Sequence, residues 1–150
     1  MIVLTLPYPI SANVYWRATV RAGHAATYVS PKAQQYRDQV AWICKAKGIR
    51  QPIAGRVEIA VQLYPHRPLD WARRVRKQGQ EWDDSVMCLD LDNANKVLLD
   101  SIKGIVIQDD KWVRKLSSER MVPDGEGRVV LYVRAIEVTA APGLLAEATA

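Results

Sequence analysis

The segment LDLDNANKVLLDSIKGIVIQDD, residues 89–110, combines a helical pattern with a high density of carboxylates. Apolar and small residues recur in it at steps of three and four, which predicts an amphipathic helix from about 92 to 103. The inward stripe of that helix consists of Ala94, Val97, Leu98, Ser101 and Ile102. Lys103 and Gly104 suit its end, because a cation is favoured near a helix C-terminus and glycine adopts the left-handed cap.

The regular elements before this segment are one helix and two strands. Ser30-Pro31 suits a helix start, with serine as the N-cap and proline at the first helical position, and predicts a helix over 31–47. Residues 56–64 (RVEIAVQLY) alternate apolar and polar side chains and give the clearest strand, and Ile2 to Leu6 gives a first strand. We expect an irregular loop over 11–23 and a short extended piece at 28–29.

Two further strands follow the carboxylate-rich segment, over about 112–121 and 128–138. A Pro123-Asp124-Gly125 turn between them predicts a hairpin. The order β-α-β-loop-α-β-β predicts one α+β domain over residues 1–138, with a small mixed, mostly antiparallel sheet and packed helices. Residues 139–150 (TAAPGLLAEATA) are expected to form a flexible tail.

Residues 66–89 interrupt the regular pattern and are rich in arginine. We predict a mobile basic loop here, with one helical turn around residues 71–75. It is either a solvated surface insertion or a basic arm that contacts phosphates, with Trp71 and Trp82 available for stacking. Its cationic side chains are Arg67, Arg73, Arg74, Arg76 and Lys77.

Composition supports a polyanionic partner and limits the other classes of protein. The formal net charge is +5 and the sequence pI is about 9.4, which favours contact with nucleic acid. The two cysteines, Cys44 and Cys88, lack zinc spacing and are expected to be reduced thiols in a cytoplasmic protein. No apolar run is long enough to span a membrane, and the start MIVLTLPYPI lacks the pattern of a signal peptide.

The acidic residues of segment 89–110 suit a divalent metal. Asp90 and Asp92 are two residues apart and share a face if extended, and Lys96 follows four residues after Asp92. Asp109 and Asp110 come after the helix, which is about 18 Å long, so they approach the first pair only if the chain folds back along it. Converging carboxylates and an ammonium are the groups that metal-assisted phosphodiester hydrolysis uses.

Simpler interpretations of the same acids stay open. Asp92 and Lys96 have the spacing of an ordinary helical ion pair, and Asp90 or Asp92 could be an N-cap. Asp109-Asp110 could be turn residues.

Two other acidic positions are weaker candidates for ligands. Asp83-Asp84 is a second acidic pair, in the predicted loop, with no regular element to fix it. Asp100 has the spacing of a salt-bridge partner for Lys96.

The motif D-L-D-N-x-x-K-x-x-x-D-x-x-x-G, residues 90–104, with D-D before a strand, resembles the signature of the RusA family of Holliday-junction resolvases. The start is similar too: L-P-x-P is followed by SANVYWR at 11–17, and YVS at 28–30 precedes a helix with Tyr36-Arg37. The resemblance runs from residue 3 to about 136. It implies a homodimeric Mg²⁺-dependent endonuclease that nicks four-way DNA junctions symmetrically, with its two metal sites in one dimer.

The resemblance also implies roles for individual residues. The essential carboxylates map onto Asp90, Asp92 and Asp110, and the catalytic lysine maps onto Lys96. Asn93 matches the motif without an assigned role. Asp109 could replace Asp110 as the ligand, because sequence alone does not orient the pair.

The chain departs from the family pattern before the motif. Met87, Cys88 and Leu89 stand where the family often has basic residues, and the stretch after Tyr64 is longer. These departures bear on junction selectivity more than on metal chemistry.

We therefore predict a Mg²⁺-dependent endodeoxyribonuclease, with Mn²⁺ as a substitute, that resolves branched DNA in recombination and repair. Asp90, Asp92 and Asp110 hold the metal, and Lys96 stabilises charge at the scissile phosphate. The predicted DNA contacts are Asn13, Arg17, Arg67, Arg73, Arg74, Arg76 and Lys77. A homodimer in the cytoplasm of a bacterium, encoded by the host or a phage, is expected, with no membrane partner and no small-molecule cofactor. The alternatives are a non-catalytic module that binds branched DNA and a metal nuclease for flaps or RNA.

Overall fold

The computed structural model describes residues 1–138, and the predicted tail over 139–150 lies outside the described residues. Six strands and four α-helices make up this part of the chain. The strands are β1 (Ile2–Pro7), β2 (Trp16–Arg21), β3 (His24–Val29), β4 (Val57–Tyr64), β5 (Val113–Arg120) and β6 (Arg128–Ala135). The helices are α1 (Ala12–Tyr15), α2 (Pro31–Ala46), α3 (Trp71–Gln78) and α4 (Leu91–Ile102), with 3₁₀ helices at Gly79–Ser85 and Asp110–Trp112.

The main sheet has the strand order β1-β6-β4-β5. β6 is antiparallel to both β1 and β4, whereas β4 and β5 are parallel. The alternating apolar residues of β1, β4 and β6 are buried on one face, as in Ile59, Val61 and Leu63 of β4. The apolar stripes of α2 and α4 belong to the same core, so the predicted α+β class with a mixed, mostly antiparallel sheet is confirmed.

The predicted hairpin of the last two strands is wrong. β5 and β6 are separated by β4, which pairs with both of them. Burial explains the order: β6 buries Val129, Leu131 and Val133 and takes a central position, whereas β5 is mostly exposed and forms an edge. The connection over residues 121–127 is longer than the two to five residues typical of a hairpin loop, and it carries the chain past β4.

The irregular loop expected over 11–23 is also wrong. Ser11 caps the short helix α1, and β2 and β3 form an antiparallel hairpin closed by Ala22-Gly23. Both turn residues have positive φ, 51° and 79°, as a tight two-residue hairpin turn requires. Alanine is uncommon at positive φ, so this turn is difficult to predict from sequence alone.

The basic loop expected over 66–89 is a folded helical unit, which we call the basic lobe. α3 and the following 3₁₀ helix pack on each other, with the Trp71 and Trp82 rings 6.4 Å apart between centroids. Trp82 is buried, and Arg120 of β5 donates hydrogen bonds to the carbonyls of Asp83 and Val86. The lobe is therefore fixed to the end of the sheet from which α4 begins.

Candidate active site

The N-terminus of α4 presents two carboxylates without partners in the described part of the chain. Asp90 stands at the N-cap position, yet its side chain makes no capping hydrogen bond. Asp92 lies in the first turn, and both residues are exposed. Lys96 is exposed as well, and within residues 1–138 it forms no ion pair with Asp92 or Asp100. The simpler interpretations of these residues as a side-chain cap and a helical ion pair are therefore not supported.

The backbone that carries these acids is held by the segment 8–15, which we call the N-terminal clamp. The Tyr8 hydroxyl accepts a hydrogen bond from the Leu89 amide at 2.7 Å, one residue before Asp90. The Asn93 side-chain oxygen accepts from the Ala12 amide at 2.6 Å. The buried Tyr15 donates its hydroxyl hydrogen to the Asp100 carboxylate. Three contacts therefore join the clamp to the region of α4, at Leu89 just before the helix and at Asn93 and Asp100 within it.

These contacts give structural roles to residues that the motif left unassigned. Asn93 positions the clamp, and Asp100 binds Tyr15 rather than the expected Lys96. Burial and the carboxylate beside it raise the pKa of Tyr15 well above its usual value. Sequence reasoning did not single out Tyr8. The only sign of it was the ordered match of the N-terminal motif, which was assigned no chemistry.

Asp109 and Asp110 lie at the opposite end of α4. Ser118 of β5 donates a hydrogen bond to the Asn95 side chain at 2.8 Å, so the end of β5 is level with the first turns of α4. β5 begins at Val113, five residue steps earlier, or about 17 Å along a strand. Asp110 precedes even that point. One chain therefore does not bring Asp110 to Asp90 and Asp92, and in residues 1–138 no three side chains of Asp, Glu, His or Cys could share a metal ion.

The second acidic pair is occupied by local contacts. Asp109 caps the 3₁₀ helix by accepting from the Lys111 amide at 3.1 Å, and its carboxylate lies 3.6 Å from the Lys103 ammonium. The neighbouring Asp110 carboxyl, the Lys111 amide and Lys103 lower the pKa of Asp109 to about 2, and the adjacent Asp109 raises the pKa of Asp110. The turn interpretation is confirmed for Asp109. Asp110 is exposed and is the freer of the two.

The predicted DNA contacts fall into two groups. Arg73, Arg76 and Lys77 are exposed and share one face of α3, since they are spaced by three and four residues. Arg73 and Arg74 both bind Asp70, at 3.0 Å and 2.9 Å, and Arg74 also binds the Ser85 carbonyl at 3.3 Å, so Arg74 is used internally while Arg73 stays largely exposed. Arg67 lies 4.5 Å above the Trp71 ring. Asn13 on α1 and Arg17 on β2 are also exposed, and both lie outside the basic lobe.

Sequence comparison identifies the class to which this arrangement belongs. A family model for an endodeoxyribonuclease, an enzyme that cuts within DNA strands, matches residues 7–134 and so includes the clamp, the basic lobe and α4. The model is that of endodeoxyribonuclease RusA, and the chain belongs to this family, as its motifs predicted. A comparison with curated proteins finds no match. None of the helices in residues 1–138 is long and apolar enough to cross a membrane.

Proposed function

We propose that this endodeoxyribonuclease is a Mg²⁺-dependent Holliday-junction resolvase that acts as a homodimer in DNA recombination and repair. The observation that carries the proposal is the exposed pair Asp90 and Asp92, free of partners in residues 1–138, on a helix end that the clamp holds in place. Family membership supports the DNA substrate. We expect the protein to act in the bacterial cytoplasm, encoded by the bacterium or by a phage.

The donor chemistry of this helix end fits a hard divalent cation. Mg²⁺ is typically held by one or two carboxylates, with waters and substrate phosphate oxygens completing its coordination. Asp90 and Asp92 offer carboxylate oxygens that no other group in residues 1–138 uses. Mg²⁺, or Mn²⁺ as a substitute, lowers the pKa of a bound water and neutralises charge on a phosphate.

Lys96 supplies the remaining charge in this proposal. It follows Asp92 by about one helical turn and forms no ion pair within the described residues, so its ammonium is available to a phosphate. An ammonium there stabilises the charge that develops on the phosphate oxygens during cleavage. The clamp keeps the first turn of α4 in one position while this occurs.

Asp110 is the third carboxylate of the proposal, and it acts across the dimer. Asp110 lies near the C-terminal end of α4, so we propose that it completes the site of the other chain instead of its own. A two-fold dimer repeats each surface, so the Asp110 end of one chain can meet the Asp90 end of the other twice, giving two equivalent sites. Two sites related in this way suit paired, symmetric nicks in a junction that is itself two-fold.

The cationic face of α3 is proposed to contact the DNA backbone beside the metal. Arg73, Arg76 and Lys77 are the exposed cations of this face, and Asn13, Arg17 and Arg67 provide further contacts. Arg74 contributes by fixing the lobe through Asp70 and Ser85. Such contacts bind phosphates without reading sequence.

The test is cleavage of a labelled synthetic four-way junction against a linear duplex of the same sequence, with Mg²⁺ and with EDTA. We expect paired nicks in the junction alone, and only with Mg²⁺. Tight junction binding without any product would leave a non-catalytic branched-DNA-binding module. Cleavage of flaps or RNA in preference to the junction would assign another substrate to the same nuclease.

A further inference from the structure

A cavity of about 720 Å³ lies between the basic lobe and the clamp, and none of the predicted site residues except Arg74 lines it. Its walls are largely apolar, formed by Tyr8, Pro68, Val86 and Leu89. The polar groups on it include His66 and Arg74, and no lining residue is acidic. The cavity is large enough for a nucleobase with its sugar, and its largely apolar wall suits a flat, weakly polar group such as a base.

The cavity opens beside the proposed metal ligands. Leu89 lines it and directly precedes Asp90, so their Cα atoms are about 3.8 Å apart. Met87, also on the wall, is 94% exposed, so its apolar side chain is accessible to a ligand that enters the cavity. Gly127 closes the far side, where an added Cβ would lie 3.3 Å from the His66 amide nitrogen and 3.4 Å from the Tyr8 ring. A side chain there would press on the pocket wall.

We propose that this cavity receives one unpaired nucleobase from the DNA strand whose backbone lies at Asp90 and Asp92; the proposal rests on the proposed function. Enzymes that act on DNA can hold a base outside the stack, against aromatic and apolar side chains. Moving a base out of the stack costs least where pairing or stacking is already weakened, as it is at the branch point of an open junction. Tyr8 provides the aromatic ring and Met87 an apolar edge.

The chemistry of the walls also indicates what the cavity selects. Stacking tolerates every base, because each has a flat aromatic face, whereas hydrogen-bond donors and acceptors discriminate among bases. Arg74 is already bonded to Asp70 and Ser85, so it has limited capacity to read a base edge. The cavity therefore selects an unpaired base more strongly than a particular sequence, which supplies junction selectivity where the basic residues expected before Asp90 are absent.

The test uses photo-crosslinking without cleavage. Four-way junctions carrying a single 5-iodouracil, at the branch point or within an arm, are bound to the protein in EDTA and irradiated, and crosslinked peptides are identified by mass spectrometry. We expect a crosslink from a branch-point position to Tyr8 or to residues 87–89, and none to these residues from arm positions. Junction binding with crosslinks only elsewhere overturns the pocket and leaves the proposed function standing. Absence of junction binding overturns both.

A chemical block provides a matched control. Cys88 lines the cavity and is partly exposed, whereas Cys44 is fully buried. Alkylation with iodoacetamide adds bulk to Cys88, and Cys88→Ser is treated in parallel. We expect alkylation to remove the branch-point crosslink from the wild type and to leave it in Cys88→Ser, and bound junction to protect Cys88 where linear duplex does not. An alkylated wild type that retains the crosslink overturns the proposal.

Discussion

The two ends of α4 each carry a pair of acids, and the fold uses the two pairs differently. At the N-terminal end, Asp90 and Asp92 have no partners in residues 1–138, while the backbone beneath them is tied to the clamp. At the C-terminal end, Asp109 accepts a hydrogen bond from the Lys111 amide and pairs with Lys103. An acid that caps a turn stabilises local structure, whereas a held but unsatisfied acid is available to a ligand. The comparison therefore separates Asp109, which the local structure uses, from Asp90, Asp92 and the exposed Asp110, which the sequence presents as equal to it.

The largest expected effect comes from breaking the N-terminal pair. Asp92→Asn removes a proposed metal ligand and leaves the basic surface intact. Loss of a residue that only supports a metal ligand reduces activity by up to about a hundredfold, so loss of a ligand itself should reduce junction cleavage by more than that. Junction affinity measured in EDTA should stay within about twofold, because phosphate contacts supply most of the binding. Single-turnover cleavage and a gel-shift titration measure the two quantities.

Asp84→Asn is the matched control for this change. Asp84 is an exposed acid of the basic lobe, outside the proposed site. The control should cut junctions at the wild-type rate. Normal cleavage by Asp92→Asn would remove Asp92 from the ligand set.

Mixed dimers test whether the two ends of α4 meet across the two chains. Asp92→Asn and Asp110→Asn should each be inactive alone. After subunit exchange, a heterodimer contains one site with both acids intact and one with neither, so we expect cleavage to return as single nicks without paired resolution. If Asp110 acts within its own chain, every site in the mixture lacks one acid and no cleavage returns. Product strands on a denaturing gel distinguish these results.

The elements that sequence alone predicted are those whose burial repeats with a regular period. β1, β4, α2 and α4 each place apolar residues on one face, and the structure buries those faces in a single core. Their predicted ends agree with the structure to within one or two residues. Periodicity reports the side that faces the core, which is a local property of the sequence.

The predictions that failed depend on contacts between distant residues. The basic lobe has no periodic stripe and is held by Arg120, which lies far along the chain. The neighbours of β5 and β6 are decided by which strand buries more surface, although the turn between them resembles that of a hairpin. The acid pairs could be located in sequence, but their separation follows from β5 running along α4 in the opposite direction.

The clamp gives a stability prediction of intermediate size. Asn93→Ala removes the oxygen that accepts the Ala12 amide, and a half-buried donor left unpaired costs about 1–3 kcal/mol. Urea unfolding followed by tryptophan fluorescence should show a lower midpoint with an unchanged slope. Asn95→Ala breaks the bond to Ser118, which does not involve the clamp, and provides the comparison.

If the clamp positions the acids, Asn93→Ala should also slow junction cleavage, whereas Asn95→Ala should not, under conditions in which both variants are folded. Equal cleavage by the two variants would leave Asn93 a purely structural residue.

The cationic face of α3 should affect affinity more than rate. Removing two phosphate contacts with Arg76→Ala and Lys77→Ala together should reduce the slope of log affinity against log salt by about 1.8, at about 0.9 per contact. Fluorescence anisotropy with a labelled junction at several salt concentrations gives this slope. Lys45→Ala with Lys47→Ala removes the same charge from the end of α2 and should change it less. Equal changes in the two double variants would show that only net charge matters.

The smallest effect is expected from Lys103 at the C-terminal end of α4, because its partner Asp109 has a second contact there. Lys103→Met removes the partner of Asp109, but this pair is exposed, at 45% and 36% of the side-chain surface, and exposed pairs contribute about 0–1 kcal/mol. The midpoint of urea unfolding should therefore fall only slightly, because Asp109 keeps its bond to the Lys111 amide. Raising the salt concentration should reduce the difference from wild type, since salt screens an exposed ion pair. A larger loss of stability that does not depend on salt would mean that Lys103 supports the turn by packing. The two ends of α4 would then differ in how rigidly their acids are held, as well as in which acids are paired.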